Sequence, residues 1–330
     1  MKLRILSGKD VRQAVTMADA IEAVRGAYIQ LSAGQALVPL RTPVPVEHRD
    51  AVTLFMPAYL ADSDALGAKI VSVFPGNLDQ GLPLIHALVS VVDAETGRPV
   101  AVMDGTSLTA LRTGAASGVA TDLLSRTDSR VVAIFGAGAQ ARTQLEAVCT
   151  VRSIRKVWVY DTAPERAAAY VEEMKARGDP IPADISVAGS PATALSDADV
   201  ICTATTSSAP VFDDADLKPG AHINGIGAYT PEMQEVPAKT VARARVVVDS
   251  RSASLEEAGD LIIPLNEGII GRGDIHGEIG QVATGQIPGR VTDGEVTFFK
   301  SVGLAIQDVA VAELILRQAQ ELGLGIEVEL

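Results

Sequence analysis

The sequence predicts an α/β protein of two domains: a doubly wound parallel sheet, and a smaller α+β domain ahead of it. Three observations carry the prediction. The chain has 330 residues, more than the roughly 250–300 over which a single core grows efficiently. From residue 131 onward, strand-like and helical runs alternate (VVAIF, QARTQLEAVCTV, KVWVYD, PERAAAYVEEMKARG). That βαβ rhythm requires parallel strands joined by helical crossovers. Between Leu40 and Val102 the pattern changes to short β-type runs separated by Asp, Gly, Pro and Asn clusters, which suits an antiparallel or mixed sheet of hairpins.

In chain order, residues 10–33 read as one helix. Ile21, Val24, Tyr28 and Leu31 repeat at helical spacing, Ser7 or Asp10 is placed to cap the start, and Gly34 supplies a stop. Strands are expected over 52–60, 67–74 and 86–93. The small residues of SLTALRTGAASGVATDLLS (107–125) allow close packing and predict a helix leading from the first domain into the second. Further apolar runs at 185–189, 200–205, 222–227 and 245–250 extend the parallel sheet. The closing stretch TFFKSVGLAIQDVAVAELILRQAQELG (297–323) reads as one amphipathic helix suited to return onto the N-terminal domain.

Hydrophobic residues at 47% and charged residues at 21% are ordinary for a soluble globular chain. The net charge of −13 argues against nucleic acid or an anionic membrane as partner. Two cysteines, Cys149 and Cys202, cannot form a disulfide framework. No apolar stretch reaches the roughly 18 residues of a membrane span, and the start lacks a signal-peptide core. A cytoplasmic location and no membrane partner are expected. His48, His86, His222 and His276 show no metal-ligand spacing, so no metal is expected, and no G-x-S-x-G elbow is present.

The strongest local signal is VVAIFGAGAQA, a buried strand, a glycine turn and a helix start. Gly136 permits the tight turn, Gly138 removes a side chain where backbone approaches a pyrophosphate, and Ala141 allows close helix–strand packing. The helix N-terminus offers free N–H groups to the anion. A lone G-x-G-x-x-A is weak, but the next strand ends in Asp161, 25 positions after Gly136, where an acidic residue holds ribose hydroxyls. A carboxylate there repels a 2′-phosphate, so NAD(H) is expected over NADP(H), although Arg166 lies close by. The expectation is a Rossmann domain in a nicotinamide-dependent oxidoreductase.

Three cations sit among apolar or small residues in the first 112 positions: Arg41, Lys69 and Arg112. A substrate with an α-carboxylate needs such groups, arginine offering two parallel hydrogen bonds. A lysine on a rigid strand can orient a carboxylate or stabilise charge near a reacting C=N bond. Taken singly, a strand lysine more often lies on the solvated face, and a helix arginine more often snorkels.

GAKIVSVFPGN (67–77), DAETGRPVAVMDGTSLTALRTGAASGVA (93–120), IFGAGAQA (134–141) and FFKSVGLAIQDVAVA (298–312) together resemble the ornithine cyclodeaminase/μ-crystallin family over essentially the full length. The family also includes archaeal-type alanine dehydrogenases and cyclic ketimine reductases. The resemblance implies a homodimer. It implies a substrate-binding and dimerisation domain from 1–120 with 305–330, and a Rossmann domain over 121–304. It places Arg41, Lys69 and Arg112 at the substrate, with Lys69 as the catalytic residue. Thr113, Gly136, Gly138, Ala139, Gln140 and Asp161 fall near the cofactor, with Thr203 and Thr205 also lining the dinucleotide. EEAGDLI (256–262) matches the family and reads as structural.

Two positions depart from the cyclodeaminases. Tyr229 stands where they carry an aspartate thought to deprotonate the distal amine of ornithine, and an ordinary phenol is a poor base at neutral pH. Leu84 replaces a hydroxyl residue near the substrate, leaving substrate polar atoms without a partner. Tyr229 instead has a place as a hydrogen-bond donor to ligand or as cover for the pocket mouth. The expected function is therefore reduction of a cyclic α-imino acid, Δ1-pyrroline-2-carboxylate or Δ1-piperideine-2-carboxylate. The alternatives are an alanine-type amino-acid dehydrogenase, an ornithine cyclodeaminase, and a non-catalytic binder of NAD(P)H and a carboxylate ligand.

Overall fold

The computed structural model describes residues 2–330, Leu78 through its backbone only. It divides into two units, Met1–Arg112 with Leu304–Leu330, and Thr113–Gly303.

The first unit opens with β1 (Lys2–Leu6), α1 (Gly8–Ala14) and α2 (Met17–Ser32). The single helix expected over 10–33 is thus two helices. Each has its own capping box, Ser7 with Asp10 and Thr16 with Asp19, and two such boxes nine residues apart start two helices rather than one. Gly34 ends the second at φ +72°. There follow β2 (Ala36–Leu37), β3 (Thr42–Val46), β4 (Ala51–Leu60), β5 (Ala65–Val73), β6 (Ile85–Asp93) and β7 (Pro99–Asp104). Helix α3 (Gly105–Leu124) crosses into the second unit at Arg112. The division falls earlier than residue 120 because the distal half of α3 packs on second-unit elements: a Cβ at Gly114 would stand 2.5 Å from the Thr143 carbonyl oxygen.

The second unit contains β8 (Val131–Phe135), α4 (Ala139–Val151), β9 (Lys156–Tyr160), α5 (Pro164–Arg177), β10 (Ile185–Val187), α6 (Pro191–Leu195) and β11 (Val200–Thr203). Then come β12 (His222–Gly225), α7 (Ala238–Arg243), β13 (Arg245–Val248), α8 (Arg251–Glu257), α9 (Gly259–Asn266), β14 (Ile275–Glu278), α10 (Ile279–Ala283) and β15 (Thr297–Lys300). The sheet order is β10-β9-β8-β11-β12-β15-β13-β14, parallel throughout. Val132, Ile134, Leu145, Val157, Tyr170 and Met174 are among its buried core. Strand order reverses between β8 and β11, which opens the ligand crevice of a Rossmann sheet at their C-terminal ends.

The chain returns to the first unit with α11 (Ala305–Leu322) and β16 (Ile326–Glu329). The helix expected over 297–323 therefore begins eight residues late, and TFFK is the buried strand β15 between β12 and β13. A strand buried on both faces has no polar alternation to mark it, so it merged with the helix that follows. Asp249 makes the turn between them, accepting from Ser301 Oγ at 2.8 Å, Val302 N at 2.9 Å and Gly303 N at 2.8 Å.

The first unit's sheet runs β16-β1-β7-β6-β5-β4-β2, with β3 also on β4. Among the described residues only β1 and β7 of this sheet pair in parallel, which makes it mixed, one of the two forms anticipated. Helix α11 covers β4, β5 and β6 and packs on α1 and α2. Its approach is close at Gly67, where a Cβ would collide with the Ser90 carbonyl oxygen and touch Val309. The opposite face exposes Phe55, Ile70 and Leu88 in one cross-strand row. No helix among the described residues is long and apolar enough to cross a membrane.

Candidate active site

The strand alternation of β5 turns Ala65, Gly67, Lys69 and Val71 to its buried face. Lys69 therefore points inward, at 2% exposure, against the habit of strand lysines. Its Nζ lies 2.7 Å from Asp308 Oδ2, and Arg112 Nε donates to Asp308 Oδ1 at 2.9 Å. Arg112, 6% exposed, also donates through Nη1 to Gln307 Oε1 at 2.9 Å. Gln307 is fixed in turn, accepting from Leu304 N at 2.7 Å and donating to the Tyr28 hydroxyl at 2.6 Å. Burial lowers the Lys69 pKa to about 8, helped by Arg112 and Arg41 and opposed by Asp308. Arg41, half-buried between β2 and β3, is thus close enough for its charge to be felt. The sequence-predicted trio gathers in one unit.

Arg112 commits Nε to Asp308 and a hydrogen of Nη1 to Gln307. Among the described residues Nη2 makes no hydrogen bond.

In the second unit, Gly136 follows β8 at φ +90° and its N–H donates to the Tyr160 carbonyl at 2.8 Å. A Cβ there would stand 2.7 Å from the Ala204 carbonyl oxygen and 3.0 Å from Thr205 Cγ2. Gly138 is the N-cap of α4, with no side chain capping it, and a Cβ there would meet no atom within 4 Å. Its missing side chain serves no neighbour in the protein. The loop therefore fits a dinucleotide: open backbone before Ala139 and Gln140, at the N-terminus of a helix whose first N–H groups want an anion. Ala141, in the first turn of α4, is fully buried, as the motif requires. Asp161 closes the loop, accepting from Ala137 N at 2.8 Å and Ala163 N at 2.9 Å, with Arg166 at 3.1 Å. Thr113 is buried on α3 and its carbonyl accepts from Gln144.

Thr203 and Thr205 are brought beside this loop but are tied to a residue the sequence reading passed over. Thr203 Oγ1 donates to Glu235 Oε2 at 3.0 Å. Thr205 donates to Oε1 through N at 2.6 Å and Oγ1 at 2.7 Å. Gly227 N and Ala228 N donate to Glu235 Oε2 at 2.7 and 3.1 Å. One buried carboxylate thus binds the loops after β11 and β12 together. Asp260 supports it, accepting from Glu235 N at 2.7 Å, Val236 N at 2.9 Å and Lys300 Nζ at 3.0 Å. This gives EEAGDLI a purpose that its resemblance alone did not.

Tyr229, 37% exposed, follows β12, and burial raises its pKa further from neutrality. Leu84 is half-buried and accepts a backbone bond from Phe74 at 2.9 Å. Neither position supplies a base. Of the residues missed by sequence reading, Lys300, Gln307 and Asp308 stand as polar groups in the mostly apolar run FFKSVGLAIQDVAVA, a signal open to reading, whereas Glu235 and Asp260 lie among other charged residues and carry none.

Known proteins share this architecture. A Δ1-pyrroline-2-carboxylate reductase of Bacillus cereus is 40% identical over 327 residues, 98% of this chain and 99% of that one. The structure of Thermococcus litoralis Δ1-pyrroline-2-carboxylate reductase in complex with NADH and L-proline superposes with a TM-score of 0.95 at 43% identity, covering 98% of this chain and 100% of that one. An archaeal alanine dehydrogenase dimer with bound NAD gives 0.92 at 36% identity, covering 100% and 99%. The model of the ornithine cyclodeaminase/μ-crystallin family matches residues 1–322, and the chain belongs to that family.

Proposed function

We propose that this chain reduces a cyclic α-imino acid with NADH, converting Δ1-pyrroline-2-carboxylate to L-proline or Δ1-piperideine-2-carboxylate to L-pipecolate. The observation that carries this reading is the buried cluster of the first unit. Lys69 and Arg112, both buried, share the one carboxylate of Asp308. Unbalanced buried charge is costly, and an anionic ligand offsets it. The similarity to reductases of Δ1-pyrroline-2-carboxylate supports the imine as that ligand.

Arg112 and Arg41 hold the α-carboxylate. Lys69 orients the substrate, and its ammonium, with N–H groups beyond the one facing Asp308, is the source of the proton gained by the imine nitrogen. A group titrating near about 8 is matched to that task. Held by Gly136, Gly138, Ala139, Gln140 and Asp161, with Thr113, Thr203 and Thr205 shaping the surroundings, the reduced nicotinamide supplies the hydride. Asp161 favours NADH over NADPH, since its carboxylate repels a 2′-phosphate. Its ion pair with Arg166 weakens that repulsion without removing it. Leu84 and Tyr229 provide nothing for a second amine, which sets cyclodeamination aside.

A homodimer belongs to the same reading. Phe55, Ile70 and Leu88 lie directly opposite one another on β4, β5 and β6, each 37–44% exposed. A contiguous apolar sheet face marks an interface. The partner we assign is a second copy, as in the alanine dehydrogenase dimer of the same fold. Phe55→Glu is expected to yield a monomer by light scattering, and a dimer unchanged in that variant would exclude this face.

The functional test follows NADH and NADPH oxidation with both cyclic imines, beside pyruvate plus ammonium and L-ornithine. Rapid oxidation with a cyclic imine, and NADH preferred, is expected. Turnover of pyruvate with ammonium alone would replace the reading with an amino-acid dehydrogenase. Saturable binding without any turnover would replace it with a binding protein.

A further inference from the structure

We infer that Asp308 is a positioning residue of the carboxylate site, fixing Lys69 and Arg112 relative to each other and holding Lys69 in the protonated form that binds the substrate anion. The inference rests on the proposed carboxylate grip and extends it to a residue that touches no substrate.

Four features of the geometry point there. Asp308 is fully buried, so its charge is tolerable only where cations meet it. Each of its oxygens faces a different cation: Oδ2 is 2.7 Å from Lys69 Nζ, and Oδ1 is 2.9 Å from Arg112 Nε. One side chain from α11 thereby fixes the separation between a residue of β5 and a residue of α3. The neighbouring Gln307 holds the other edge of the same guanidinium and is itself bonded to Leu304 and Tyr28. Two adjacent residues of α11 thus leave Arg112 little freedom. Placement in the first turn of α11 also suits a carboxylate, which the helix N-terminus stabilises.

The electrostatics follow from the same contacts. The charged groups facing Lys69 are Arg112 from α3, Arg41 from the segment before β3, and Asp308 from α11. Burial and both arginines favour the neutral amine, and Asp308 alone among the three charges favours the ammonium. A neutral Lys69 has no charge with which to hold a carboxylate. Without Asp308 the first effect of gathering three cations would be to discharge the lysine. Asp308 thus lets several cations converge on one anion.

The test is calorimetric binding of pyrrole-2-carboxylate, a planar carboxylate with no reducible imine, to the full chain between pH 6.5 and 9.5. It is paired with kcat/KM for the cyclic imine over the same range. Wild type should lose affinity above about pH 8, approaching tenfold per pH unit for a single group. Asp308→Asn should move that limb down by about one unit or more and cut affinity at pH 7. Asp308→Glu, which keeps the charge but displaces it, should keep the limb and lose about tenfold in kcat/KM. Lys69→Arg, which stays charged, should abolish the limb. A limb unmoved in folded Asp308→Asn, or Asp308→Glu equal to wild type in both limb and rate, would overturn the inference. Should Asp308→Asn fail to fold, the Asp308→Glu and Lys69→Arg results decide it alone. Absence of imine turnover in wild type would reject the proposed reaction, while the calorimetric arm would still judge Asp308.

Discussion

Lys69, Arg112 and Asp308 in the first unit, and Glu235, Asp260 and Lys300 in the second, are buried charge clusters built on opposite principles. In the second unit Glu235 accepts five hydrogen bonds, and Asp260 accepts two backbone N–H groups and Lys300. The acceptors are filled by the protein's own donors, and nothing is left for a ligand. In the first unit Lys69 and Arg112 share the one carboxylate of Asp308, and Arg112 Nη2 makes no hydrogen bond among the described residues. Burial of charge therefore does not by itself mark a ligand site. Burial with donors left over is what the proposed carboxylate site has, whereas the filled cluster is scaffold beside the proposed dinucleotide loop.

The sharpest way to break this comparison is to remove one charge from each cluster. Lys69→Met should lower kcat/KM for the cyclic imine by about 1000-fold, equivalent to about 4 kcal/mol. Folding should survive, because Asp308 keeps Arg112. Steady-state kinetics beside a melting curve would check both, and near-normal turnover would remove Lys69 from the chemistry. Glu235→Gln should act in the opposite sense. Its amide NH2 must face N–H donors, costing about 1–3 kcal/mol of stability. The loops after β11 and β12 should loosen, weakening NADH about tenfold by fluorescence titration and leaving pyrrole-2-carboxylate binding to the first unit unchanged. Equal losses of both ligands would erase the distinction between site and scaffold.

The same distinction recurs within one loop. Gly136 is required by the fold, at φ +90° with a Cβ blocked by Ala204. Gly138 has ordinary φ and open space, so the fold does not require its small size, and the proposed reading assigns it to the ligand. Gly136→Ala should cost about 2 kcal/mol or more. Gly138→Ala should leave the melting temperature unchanged or slightly raised while raising the Kd for NADH roughly 10-fold. Urea melts and titrations of both variants would separate the roles, and a Gly138→Ala that binds normally would dismiss the pyrophosphate contact.

The strand–glycine–helix loop was legible in the sequence because its parts are contiguous: strand, glycines and helix within eleven residues, and an aspartate one crossover later. The cations of the first unit were legible only as odd residues in apolar runs. What joins them, Asp308, lies about 200 positions from Arg112, a pairing that no local spacing encodes. Glu235 and Asp260 were hidden for a related reason, since their partners are mostly backbone N–H groups that carry no sequence signature. The strand β15 was absorbed into α11 because a doubly buried strand lacks the alternation that separates strand from helix.

Dependence on pH also separates scaffold from site. His222 is fully buried, 2.9 Å from Thr297 Oγ1 and 3.1 Å from Asn224 Oδ1. Burial, with Arg290 and Arg152, pushes its pKa down to about 3 against 6.5 for the free side chain. As pH falls below about 6.5 the unfolded chain takes up the proton and the folded chain does not. The stability that depends on a neutral His222 is thus fully present above that pH and is lost progressively toward about pH 3. His222→Gln should be less stable than wild type at pH 7 by about 2 kcal/mol. By pH 5 the gap should close, at a limiting slope of about 1.4 kcal/mol per pH unit. Over the same interval pyrrole-2-carboxylate affinity should stay flat, because Lys69 loses its proton only near pH 8. Chemical denaturation of the two proteins at pH 7, 6 and 5 measures the gap. A gap constant with pH would mean that folded His222 protonates as readily as the unfolded residue, and that the second unit's interior accepts a charge its packing gives no room for.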